Sequence, residues 1–162
     1  MSATATVNGS VLSVGISEVK AVRAPERLRT VLGSCVGIAI FDSQSGVGGL
    51  AHVMLPESNA STDTPGKFAD TGTDLLVQQV LAAGAVRNRL RAKIAGGATM
   101  FGPESNTGIG RKNAEAVINR LAHHNIGLLA TDLGGSKGRR MSLDPSTGDV
   151  EVQFIGQEPR VL

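Results

Sequence analysis

The chain has 162 residues, 41% of them hydrophobic, and 16 Lys+Arg against 14 Asp+Glu give a formal net charge of +2. This length fits one domain that buries roughly two thirds of its unfolded surface, while the apolar fraction excludes disorder and no stretch approaches the roughly twenty apolar residues of a membrane span. One cysteine excludes an internal disulfide framework and fits a reducing, cytoplasmic setting; four Phe, no Trp or Tyr and no basic run argue against nucleic-acid binding.

Residues 1–10 are small and polar, without the basic and apolar regions of a secretory signal. They read as a disordered tail before a single domain over 11–162. Residues 11–16 and 19–22 alternate as half-buried strands do, and Pro25 interrupts the run. Residues 28–32 form a further strand candidate ending at Gly33. The run 36–41 (VGIAIF) is continuously apolar and β-branched, as in a strand buried on both faces. Ser45-Gly46 and Gly48-Gly49 predict a turn, with 50–55 as the partner strand. Residues 56–66 form a polar loop. Leu76, Val80 and Ala83 recur at i, i+4, i+7 and predict a helix over 70–83, closed by Gly84.

Residues 91–95 read as a strand stopping at Gly96-Gly97. A second helix is carried by Ala114, Val117, Ile118, Leu121 and Ala122, with Asn113 close to its start. Strands over 126–130, 139–143 and 150–155 follow, separated by Gly134-Gly135 and by a hairpin turn over 145–148. Strands outnumber helices, so the fold class is α/β or α+β, with two main helices on mixed sheet.

Few residues can carry chemistry. Cys35 lies in Leu32-Gly33-Ser34-Cys35-Val36-Gly37. A lone Cys is commonly a small buried hydrophobe, but these small neighbours leave the Gly33 and Ser34 backbone free to face an oxyanion. A nucleophilic Cys also needs a base. His123 and His124 sit at the end of the second helix, where an imidazolium complements the helix terminus; their reading is structural. His52 stands among apolar neighbours and is either a satisfied core residue or that base. Pairing Phe41 with Leu50 places it opposite Ala39, with slip or twist able to bring it toward Cys35. No spacing suits a metal, so no metal or cofactor is expected. Ser34 lacks a GxSxG setting. Gly108-Ile109-Gly110 before a helix is a weak phosphate signal.

The segments LGSCVGIAIFD (32–42) and AHVMLP (51–56) resemble the CheD family of bacterial chemoreceptor glutamine deamidases. The likeness continues through PGKFAD (65–70), AKIAGGATMF (92–101), Ile109-Gly110 with Asn113, DLGG (132–135) and Gly138-Arg139. The resemblance implies a cysteine nucleophile at Cys35, a histidine at His52 and a threonine shortly before the cysteine, for which Thr30 is the candidate. It implies a single-domain, layered α/β sandwich of largely antiparallel sheet. The implied reaction turns glutamines of methyl-accepting chemotaxis receptors into glutamates through a thioester, releasing ammonia. A second reading, also implied by the family, is a binding module that activates a CheC-type phosphatase with little catalysis of its own. A papain-like peptidase fits less well, since the chain is too short for a second lobe.

Receptor signalling domains being helical, the implied substrate calls for a shallow groove. Gly96, Gly97, Ala98 and Phe101 on one loop and Gly134 and Gly135 on another are expected to border Cys35, with Phe101 as an apolar anchor for the substrate.

Overall fold

The VGIAIF run becomes the middle of the molecule. In a computed structural model that describes residues 9–58, 62–99 and 108–162, strand β4 (Val36–Asp42) is buried at all seven positions. It pairs antiparallel with β5 (Val47–Val53) on one side and β6 (Arg91–Gly96) on the other. Outside these lie β2 (Val19–Arg23), against β5, and β7 (Gly127–Leu133), parallel to β6, giving the sheet order β2-β5-β4-β6-β7. A second sheet runs β1 (Val11–Ser13), β3 (Arg27–Leu32), β8 (Arg139–Asp144), β9 (Asp149–Phe154) and β10 (Arg160–Val161). Pairing is antiparallel except at β1–β3 and β6–β7. The class is the expected α/β one, a layered sandwich of mixed sheet.

Alternation along β4 and β5 divides the core in two. Val36, Ile38, Ile40, Ala51 and Val53 face the helices α1 (Ala69–Ala82) and α2 (Ile109–His123), meeting Leu76, Val80, Val117 and Leu121. Ala39, Phe41 and Leu50 face the other sheet and meet Leu28, Leu32, Met141, Leu143 and Val152. Each fully buried aliphatic side chain contributes about 1.5–3 kcal/mol, so these two layers dominate the fold's stability.

Five expectations need correcting. Gly48 and Gly49 lie inside β5 and not in a turn. A Cβ on Gly49 would stand 2.5 Å from Leu76 and one on Gly48 2.9 Å from Leu143, so the strand needs glycine there to admit its neighbours on both faces. With β5 starting at Val47, Phe41 pairs with Gly48, and His52 lies opposite Gly37 rather than Ala39. The first strand stops at Ser13 instead of 16, because the Gly15 N–H bonds the Glu18 carboxylate at 2.7 Å and Ser17 takes a left-handed φ of 68°. Helix α2 begins at Ile109, a turn before Asn113, led in by Gly108 at φ 68°. Its first turn is no phosphate cradle: a Cβ on Gly110 would lie 2.5 Å from the Gly97 carbonyl oxygen, so a backbone acceptor already occupies that space.

Candidate active site

Residues 33–35 carry the chain from β3 in one sheet to β4 in the other. Cys35 is partly buried and packs against the inter-sheet core. All three carbonyls of this crossing are held by the rest of the protein. Gly33 O accepts from Ala98 N at 3.0 Å and Cys35 O from Gly97 N at 2.9 Å. Ser34 O accepts from Asn113 Nδ2 at 3.2 Å. The N–H groups of the same three residues find no acceptor among the described residues. A loop pinned by its oxygens, with its donors left open, is preorganised for negative charge.

His52 projects from β5 on the inter-sheet face and is 3% exposed. Its opposite residue, Gly37, has no side chain, and Cys35 lies two positions before Gly37, just ahead of β4. Such diagonal neighbours have Cα atoms roughly 7–8 Å apart, within reach of an imidazole. The tautomer follows from hydrogen-bond supply. Thr30 Oγ1 has one proton and donates it to the Val14 carbonyl at 2.6 Å, an atom that can only accept. The contact at 2.8 Å between Thr30 Oγ1 and His52 Nδ1 must then be donated by Nδ1–H. That leaves Nε2 as the basic nitrogen.

Burial alone pushes the Cys35 thiol above its ordinary value and the His52 imidazole below its own. Both shifts favour the neutral forms, a thiol on Cys35 and an unprotonated imidazole on His52.

The expected glycine loops divide. Gly96 and Gly97 do border Cys35: a Cβ on Gly96, at φ 109°, would collide with the Cys35 carbonyl oxygen. Gly134 and Gly135 stand one loop further out, with Gly134 N donating to Gly96 O and Thr99 N to Gly135 O, both at 2.9 Å. The crowding at Gly96 and Gly97 comes from the protein's own backbone. At Gly134 nothing lies within 4 Å of a Cβ, so that glycine serves its φ of 86°. Phe101 lies outside the described residues. His123 and His124 are remote from Cys35. His124 Nε2 meets Asp74 Oδ1 at 2.6 Å, tying α2 to α1.

Two supporting residues escape sequence reasoning except as parts of the resemblance. Asn113, wholly buried on α2, donates to Met54 O at 3.1 Å as well as to Ser34 O, linking the loop after His52 to the one before Cys35. A polar residue on the apolar stripe of that helix was the available signal. Arg139, 1% exposed, donates to Asp132 O and Oδ1 at 2.8 and 2.6 Å and to Gly134 O, and stacks on Phe154. It fixes the loop that supports residues 96–99. No three His, Cys, Asp or Glu among the described residues gather as a metal site, and no described helix is long and apolar enough to cross a membrane.

Residues 54–154 match the family described as CheD chemotactic sensory transduction. A probable chemoreceptor glutamine deamidase CheD of Desulfitobacterium hafniense is 46% identical over 94% of this chain and 99% of its own length. Proteins of the same description from Syntrophomonas wolfei and Clostridium botulinum are 43% and 42% identical, over 94% and 90% of this chain and 98% and 93% of theirs. Among solved structures, a Neisseria meningitidis protein of the DUF152 family is similar at a TM-score of 0.44 and 11% identity, covering 82% of this chain and 65% of that one.

Proposed function

The chain belongs to the CheD family, and we propose that it is a glutamine deamidase acting on chemoreceptors in the cytoplasm, with Cys35 as nucleophile. His52 Nε2 takes the thiol proton as sulfur attacks the carboxamide carbon, forming the S–C bond. The oxyanion that develops is met by the open N–H groups of residues 33–35. Collapse breaks the C–N bond, and His52 returns the proton to the leaving nitrogen, which departs as ammonia. Water, deprotonated by the same Nε2, attacks the thioester. The C–S bond breaks, glutamate is released and the thiol is restored.

The observation that carries this reading is the asymmetry of the crossing loop at Cys35, with three carbonyls tied, three N–H groups without an acceptor among the described residues, and a nearby His52 whose tautomer is set by Thr30. The test is incubation of the protein with the cytoplasmic fragment of a chemoreceptor from the same cell, with ammonia assay and peptide mass mapping. Cys35→Ala should abolish both the mass gain and the ammonia. A Cys35→Ala protein that still deamidates would remove Cys35 from the chemistry. A wild-type protein that releases no ammonia yet binds a CheC-type phosphatase would favour the binding-module reading.

A further inference from the structure

Helices α1 and α2 pack on the strands of the β2-β5-β4-β6-β7 sheet, and no helix among the described residues layers the outer face of the other sheet. At the end of that face nearest Cys35, three apolar side chains stand in solvent: Ile16 at 60% exposure, Val31 at 66% and Ile155 at 92%. Val31 is the ridge between two depressions and lines both. One, of about 230 Å³, is bounded by Ile16, Arg29 and Thr30 and reaches His52. The other, of about 260 Å³, is bounded by Arg140, Phe154 and Ile155. Isolated exposed apolar residues are ordinary, but a ridge with a socket on each side, one of them reaching the Thr30–His52 pair, is the form of a recognition surface.

The charges at these sockets are one-sided. Arg27 on the same strand is paired with Asp144 at 3.4 Å. Arg29 and Arg140, one at each socket, make no ion pair among the described residues. Glu151, across Ser142 from Arg29 in the ladder, pairs with neither. An occupant must therefore bring apolar side chains for the sockets and carboxylates for the two guanidinium groups. The sockets lie on either side of β3, about two strand spacings or roughly 10 Å apart, which is the rise between residues i and i+7 on one face of a helix. A bare sheet face is also the surface on which a helix forms the missing layer.

We propose that this face is the substrate-docking surface, taking an acidic amphipathic helix of the substrate protein astride Val31, with apolar residues one heptad apart in the two sockets and carboxylates on Arg29 and Arg140. The inference rests on the deamidase reading and adds to it where and by what chemistry the substrate is gripped. Val31 directly follows Thr30, whose hydroxyl meets His52 Nδ1 at 2.8 Å, and Thr30 and His52 both line the first socket, so a helix seated there lies against that pair.

Arg140→Glu and Val31→Ser alter exposed positions and test the surface. With the receptor fragment as substrate, each should raise KM about tenfold with kcat within about twofold, and added salt should weaken wild-type binding more than that of Arg140→Glu. Iodoacetamide labelling of Cys35 reports the state of the site and should keep its wild-type rate. Unchanged KM in both variants overturns the proposal, as does a joint fall in kcat and labelling rate with KM unmoved. A dimer seen in sedimentation and lost in Val31→Ser also overturns it, by assigning the face to a second copy. If the wild type releases no ammonia from the fragment, the deamidase reading fails, and docking is judged by titrating the fragment into Cys35→Ala. Binding weakened tenfold by Arg140→Glu then sustains the surface, and equal or absent binding refutes it.

Discussion

Thr30→Val removes one oxygen and keeps the shape of the side chain. Two hydrogen bonds go with it, 2.8 Å to His52 Nδ1 and 2.6 Å to Val14 O, at a residue 3% exposed. A buried polar group stripped of its partner costs about 1–3 kcal/mol, and two are stripped here; the adjoining socket can admit water, which holds the total near the low end, about 2 kcal/mol. Activity should fall for a separate reason. The lost bond, worth about 0.5–1.5 kcal/mol net, is what selects the tautomer with Nε2 basic, so the tautomer ratio shifts about 2- to 13-fold and the competent fraction falls by no more than that factor. That is well short of the roughly 10²–10⁴-fold expected for His52→Ala, which removes the base itself. Thr30→Ser, retaining the hydroxyl, should recover most of the rate. The assay is initial ammonia release from the receptor fragment, beside melting temperatures for all three variants. If Thr30→Val loses stability but keeps the wild-type rate, Thr30 is a fastener between β3 and β5 and the tautomer argument is wrong.

The labelling rate of Cys35 with iodoacetamide should rise in two steps with pH. The first lies below 6.5, as His52, its pKa lowered by burial, becomes a free base; the second lies above 9, as the thiol, its own pKa raised by burial, ionises unaided. His52→Ala should lose the first step alone, and identical profiles would leave His52 as core. The same lowered pKa gives a stability slope: the unfolded chain binds the proton first, so wild type should lose stability as pH falls below 6.5, a loss absent from His52→Ala. Gly96→Ala forces a Cβ onto the Cys35 carbonyl at φ 109°. A misplacement near 1 Å costs on the order of 10²-fold in rate, so activity should collapse. Gly134→Ala, strained in φ but facing open space, should lose stability with less effect on rate. Equal rate losses in the two would show that the backbone tie at Gly96 has no special role.

Much of the fold was legible because burial writes itself into pattern. The apolar run of β4 and the 3.6-residue stripe of α2 each admit one interpretation. The β4–β5 register was not legible. Gly48-Gly49 has the composition of a turn, and only the packing of Leu76 and Leu143 against those positions shows why a strand would carry two glycines. That two-residue slip decided whether His52 faced Ala39 or lay beside Cys35, so the most consequential fact of the site hung on a tertiary contact. The roles of Asn113 and Arg139 were harder to read for a related reason. Asn113 donates to the carbonyls of Ser34 and Met54, and Arg139 to those of Asp132 and Gly134 besides the Asp132 carboxylate, and a carbonyl leaves no trace in sequence.

The same fact explains how a site with one cysteine and one nearby histidine can be specific in its geometry. Its scaffold is backbone held by backbone: Ala98 and Gly97 grip residues 33 and 35, Gly134 and Gly135 grip residues 96 and 99, and Arg139 grips Gly134. Each tie uses up an oxygen and none uses an N–H of residues 33–35, so successive layers tighten the loop without spending its donors. Glycine is required where two backbones meet, at Gly96 and at Gly110, because any Cβ would separate them. The candidate chemistry thus rests on very few side chains, while the contacts that position them are spread along loops far apart in the chain. Side-chain substitutions in those loops should be borne well wherever the backbone path is kept, and badly wherever a Cβ replaces a hydrogen at a crossing.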